Sequence, residues 1–98
     1  MVVRVQGEVD TATAPRMAQA IDSQLERRRR VVLDLSRVEF MDLHGLAVLM
    51  RASRRTRVDG GSFAVDRPAT CVLRLFELVR MGGEIRIVSD DNRPPEAA

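Results

Sequence analysis

A chain of 98 residues with 45% apolar and 31% charged residues is one globular domain with one modest core, not a disordered segment. Its longest uncharged apolar run, Gly45 to Met50, is far too short to span a bilayer, and the first residues lack the basic-then-apolar order of a secretory leader, so the expected compartment is the cytosol. Net charge is only +2, and all sixteen basic residues are arginine, which excludes lysine-dependent phosphate loops and Schiff-base chemistry.

Val2 to Gln6 reads as a strand and Gly7 to Thr13 as a loop, with Thr13 as helix N-cap and Pro15 in the first turn. From Ala14 to Arg28 the residues Met17, Ala18, Ile21 and Leu25 recur at helical spacing. The dense basic run Arg27 to Arg30 follows, at a helix end where cations suit the dipole. With no Trp, no Tyr and three Phe there is no set of rings to stack bases, so nucleic acid is not expected as a specific partner.

Val31 to Leu35 is a β-branched run with the look of a buried central strand. A helix is predicted from Leu43 to Arg57, with Leu43, Leu46, Ala47 and Met50 toward the core and Asp42 as its cap. Gly60-Gly61 stops it, and Ser62 to Val65 is a third strand. Pro68 introduces a helix over 69–81 with the stripe Val72, Leu75, Phe76 and Val79; Gly82-Gly83 ends it, and Ile85 to Val88 is a fourth strand. Strands alternating with helices predict an α/β fold with a mostly parallel sheet. The domain is expected to fill residues 1–91, and 92–98, with Pro94-Pro95, to be an unstructured tail.

Chemistry is sparse. The one Cys, Cys71, and the one His, His44, lie on different predicted helices, and neither sits in a nucleophile motif. A single cysteine excludes an internal disulfide and a cysteine-built zinc site, and no metal or cofactor is expected. Cys71 falls near a helix N-terminus, which keeps a redox role open. Gly45, in the first turn of the second helix, has two readings: close approach of a partner to the backbone, or tight packing of helix on sheet.

The stretches Gly7-Glu-Val-Asp-Thr-Ala-Thr-Ala-Pro15, Val31-Val-Leu-Asp-Leu-Ser-Arg-Val-Glu-Phe-Met-Asp42 and Gly45-Leu46 resemble STAS-domain proteins of the anti-sigma factor antagonist type. Pro68 to Met81 is similar to that family's third helix. The resemblance implies a binding switch and not an enzyme. Its implied partner is an anti-sigma factor that is also a serine kinase with a histidine-kinase-like ATPase fold. The implied binding surface is Glu8, Asp10, Asp42, Leu43, His44 and Gly45.

Three departures stand out. Leu43 occupies the phosphoacceptor position and has no hydroxyl, with His44 after it; the chain starts at what would be the family's second strand; and Pro94-Pro95 remove most of the closing helix. The second leaves a sheet edge from which a homodimer is expected. The alternative roles are a STAS subunit or regulator docked on an ABC-transporter ATPase or another signalling assembly, and an enzyme or small-molecule binder.

Overall fold

The computed structural model describes residues 2–79 and 84–88. Its elements alternate as the sequence predicts: β1 (Val2–Val9), α1 (Ala14–Arg27), β2 (Arg30–Met41), α2 (Leu43–Asp59), β3 (Ser62–Asp66), α3 (Thr70–Leu78) and β4 (Arg86–Val88). The four strands pair in the order β1-β2-β3-β4, every pair parallel, so spatial order repeats chain order. One face of the sheet carries Val31, Leu33, Leu35, Phe63 and Val65, and all three helices add residues to that same cluster: Met17 and Ile21, Leu46 and Leu49, Val72 and Phe76.

Two strands run further than their composition suggests. β1 does not stop at Gln6 but continues through Gly7 to Val9, and β2 does not stop at Leu35 but continues to Met41. β3 pairs β2 only over Arg30 to Asp34; beyond that β1 alone pairs it, Gln6 with Arg37 through Val9 with Met41. This two-stranded ribbon has water on both sides at Ser36, Arg37, Glu39 and Phe40, so its hydrophobic alternation is broken and it escapes a periodicity reading. Gly7 lies between two shifts of register at φ +83°, a left-handed conformation that lets the strand bulge and carry on.

The helices are phased by their ends. Gly60 caps α2 at φ +79°, and the Gly60 and Gly61 N–H groups both bond the Thr56 carbonyl. The buried stripe of α2 is Gly45, Leu46, Leu49, Ala52, Ser53 and Thr56, not Leu43, Leu46, Ala47 and Met50: Leu43 and Ala47 are exposed and Met50 is half-buried. The helix is rolled so that Gly45 meets the sheet, which turns Leu43 outward. In α3, Val72 and Phe76 are buried but Val79 lies past the helix end and is 37% exposed; the predicted extension to Met81, the Gly82-Gly83 stop and the tail over 92–98 lie outside the described residues. Ile85 is buried in the turn before β4 and not within it.

A charged cluster holds the carboxyl ends of the central strands. Asp34, 4% exposed, accepts the Ser36 N–H at 2.9 Å and the Arg67 guanidinium at 3.2 Å, with Arg4 3.9 Å away. Arg67 adopts φ +46°, unusual for a residue with a side chain, and also contacts Asp66 at 3.5 Å. Burial alone would raise the Asp34 pKa; the hydrogen bonds from Ser36 and the charges of Arg67 and Arg4 outweigh it and hold the carboxyl below its ordinary 3.8. Because the folded state lowers this pKa, the stabilisation is full above the ordinary value and disappears as pH falls through the folded-state value. Asp34→Asn should therefore cost about 1–3 kcal/mol at pH 7, and urea titrations at falling pH should show the gap from wild type closing. A gap independent of pH would mean that the carboxylate charge is not what matters there.

Candidate functional site

The end of the β1–β2 ribbon and the start of α2 form one unit. The Val9 carbonyl accepts the Asp42 N–H at 3.1 Å, carrying the parallel ladder one step past Met41 and fixing where the helix begins. Asp42 is the N-cap: its carboxylate accepts the His44 N–H at 2.9 Å and the Gly45 N–H at 3.3 Å, and its own carbonyl takes the Leu46 N–H. Its slight burial would raise the pKa, but the N–H groups of Gly45 and His44, with the His44 ring, hold it below the ordinary value. The first-turn donors nearest the sheet are thus already satisfied from within the chain.

Gly45 is buried, and a Cβ added there would lie 2.7 Å from Val9 Cγ1 and 2.8 Å from Met41 Cγ. Of the two readings of this glycine, the geometry matches helix-on-sheet packing: the space is filled by the chain's own core. Leu43 and His44 point the other way. Leu43 is 62% exposed, and Phe40, two residues before the cap, is 50% exposed. The site thus offers two large apolar groups to solvent.

The loop 10–13 closes over this turn. The Asp10 carboxylate accepts the N–H groups of Ala12 at 2.9 Å and Thr13 at 3.1 Å, an Asx turn, while the Asp10 carbonyl takes the first helical N–H, from Ala14. Thr13 occupies the N-cap position of α1 as predicted, but its hydroxyl does not cap: it donates back to the Glu8 carbonyl at 2.7 Å and accepts the Asp10 N–H at 2.9 Å. Thr11, at the loop's tip, meets His44 Nδ1 at 3.1 Å, and the Asp42 carboxylate lies 3.4 Å from the same nitrogen.

The structure therefore brings Glu8, Asp10, Asp42, Leu43, His44 and Gly45 together, but divides them. Glu8, Leu43 and His44 are exposed, whereas Asp10, Asp42 and Gly45 position the backbone beneath them. Thr11 belongs to the same surface through its contact with His44, and it and the exposed Phe40 at the end of β2 escaped the sequence reading. Phe40 could have been found as an aromatic interrupting a polar stretch; Thr11 had no signal, because its role depends on a residue 33 positions away. Cys71 stands apart on α3, its Sγ 3.6 Å from the Val38 carbonyl, with no contact to His44.

The chain is similar to known proteins along most of its length. A family model described as Mlab, STAS domain, matches residues 1–89. A protein of Paenibacillus polymyxa named anti-sigma F factor antagonist is 31% identical over 80 residues, covering 80% of this chain and 68% of that protein. The crystal structure of an anti-sigma factor antagonist from Mycobacterium paratuberculosis superposes with a TM-score of 0.74 at 30% identity, covering 93% of this chain and 80% of that one. That of a putative anti-sigma factor antagonist from Thermotoga maritima gives 0.77 at 23% identity, covering 92% and 81%, a likeness of fold.

Substitutions should separate the buried and exposed parts of this turn. Gly45→Ala must displace Val9 and Met41 and should cost about 1–3 kcal/mol in chemical denaturation. Leu43→Ser removes an exposed side chain and should change stability by no more than about 0.5 kcal/mol. Equal effects at the two positions would contradict the packing described.

Proposed function

We propose that this chain, which belongs to the STAS domain family, acts by binding another protein, as an anti-sigma factor antagonist: it occupies an anti-sigma factor and so frees a sigma factor. The observation that supports the reading is the rigid turn at the start of α2. Asp42 and Asp10 spend their carboxylates on backbone donors, Gly45 locks the turn to the sheet, and Leu43, His44 and Phe40 are held outward at little further cost in ordering. The relatives named anti-sigma factor antagonist in Paenibacillus polymyxa and Mycobacterium paratuberculosis point to the same class of role.

The partner in this reading is an anti-sigma factor with a histidine-kinase-like ATPase fold that phosphorylates serine, and its footprint is Glu8, Asp10, Asp42, Leu43, His44 and Gly45. Apolar contact at Leu43 and charge complementarity at Glu8 would supply affinity and orientation. With leucine at the acceptor position, phosphoryl transfer at residue 43 has no hydroxyl to use. Control of the complex then passes to the amount of protein or to a separate input such as Cys71. The outer edge of β1, which has a single neighbour among the described residues, is the route we propose for a homodimer.

The test uses the histidine-kinase-like anti-sigma factors of the same genome, each purified with its sigma factor. Wild type should displace the sigma factor; Leu43→Arg and His44→Glu should weaken displacement about tenfold or more while thermal melting stays unchanged. Incubation with the kinase and ATP should leave the intact mass of wild type unaltered, whereas Leu43→Ser should gain one phosphoryl group. Displacement that survives both surface variants would move the interface elsewhere. Stable capture by an ABC-transporter ATPase, with no displacement by wild type, would replace this reading with the transporter one.

A further inference from the structure

The arginine run that sequence analysis assigned to a helix end does more than finish α1. Arg30 opens β2, and the register places Arg30 beside Ser62, and Ala64 between Val32 and Arg86. Because side chains alternate along a strand, these residues share the sheet face opposite Val31, Leu33, Phe63 and Val65, which point into the core. A concavity of about 670 Å3 lies there, lined by Arg29, Arg30 and Arg86 and by the half-buried Val32, with Ala64 and Val88 buried beneath it. It sits toward the amino ends of the strands, whereas the Asp42 turn follows the carboxyl end of β2.

Among the described residues the three guanidiniums have no partner. Among the described residues three acids near this end are engaged elsewhere, Glu84 with Arg54 at 3.4 Å, Asp22 with Arg55 at 3.0 Å and Asp59 with Arg55 at 3.7 Å, while Glu26 shares a separate cavity with Arg27 and Arg28 and pairs with none of the three arginines. With the described residues Arg29, Arg30 and Arg86 form no ion pair or side-chain hydrogen bond, and all three are exposed. Arg29 is nonetheless fixed through its backbone, since its carbonyl accepts the Ser62 N–H at 2.7 Å, and Gly61 has no side chain because a Cβ there would lie 2.5 Å from that carbonyl. The strand starts are held firmly while the charged forks are left open.

We propose that this concavity binds an acidic segment of a partner protein in which carboxylates alternate with aliphatic side chains. Guanidinium forks match carboxylates in a bidentate manner, which explains the charged walls. The half-buried Val32 decides between peptide and nucleic acid: a phosphodiester backbone has nothing to place on it, no aromatic ring lines the site for a base to stack on, and a peptide's apolar side chains fit both requirements. The surface is separate from the Asp42 turn, so the chain has a second docking face, independent of its proposed anti-sigma contact.

Fluorescence anisotropy on the full chain tests this with three probes: a short peptide alternating Glu and Leu, one alternating Glu and Gly, and a single-stranded oligonucleotide of equal charge. At about 150 mM salt the Glu/Leu peptide should bind, the Glu/Gly peptide should bind about tenfold more weakly, and the oligonucleotide weakest of all. Arg30→Gln with Arg86→Gln should weaken the Glu/Leu peptide about tenfold with the melting temperature unchanged, and Arg29→Gln alone should weaken it less. No binding of the Glu/Leu peptide, equal binding of the double variant, or tighter binding of the oligonucleotide would each overturn the proposal.

Discussion

The contact on which the site depends is the one between Gly45 and the last residues of the β1–β2 ribbon. A helix that starts two residues after a strand can approach the sheet closely only if its first turn presents almost nothing, and here Val9 and Met41 fill the volume a Cβ would need. That approach fixes the roll of α2, which puts Leu46, Leu49, Ala52 and Thr56 in the core and leaves Leu43 and His44 outside. Exposure at the turn is therefore not slack. It is the complement of tight packing one residue further along.

Charge acts in different ways at the two ends of the sheet. Around Asp42 and Asp10 the carboxylates are committed to backbone N–H groups, so they shape the surface more than they attract anything to it. At Asp34 a buried carboxylate joins strand β2 to Arg67 and, at longer range, Arg4. At the amino ends of the strands Arg29, Arg30 and Arg86 have no partner among the described residues, although net charge is nearly balanced.

Much of the architecture was legible because each helix has a three- or four-residue stripe and each buried strand a β-branched run. The Asp42 cap and the Gly60 stop were readable from residue type and position alone. What escaped reading has a common cause. The ribbon from Ser36 to Met41 is exposed at Ser36, Arg37, Glu39 and Phe40 and buried only at Val38 and Met41, so its apolar residues do not alternate and pairing with β1 makes it a strand. The roll of α2 was misjudged because Leu43 fits the stripe by spacing, while the deciding contact involves a glycine that no hydrophobicity pattern registers. The pairing of Thr11 with His44 joins a loop to the first turn of a helix distant in sequence, and only tertiary structure makes it.

The coincidence of spatial and chain order in the sheet has a consequence for how the molecule is made. Each strand finds its neighbour in the segment immediately before it, across one helix, so no pairing waits for a distant part of the chain. Loop closure is short at every step, and a nascent chain leaving the ribosome can extend the sheet by one βα unit at a time. β4, only three residues long and last to emerge, joins a sheet whose other strands are already paired. Turnover of stalled or truncated chains would then depend on this final unit, since a fragment lacking it exposes the edge of β3, a strand otherwise buried at Phe63, Ala64, Val65 and Asp66.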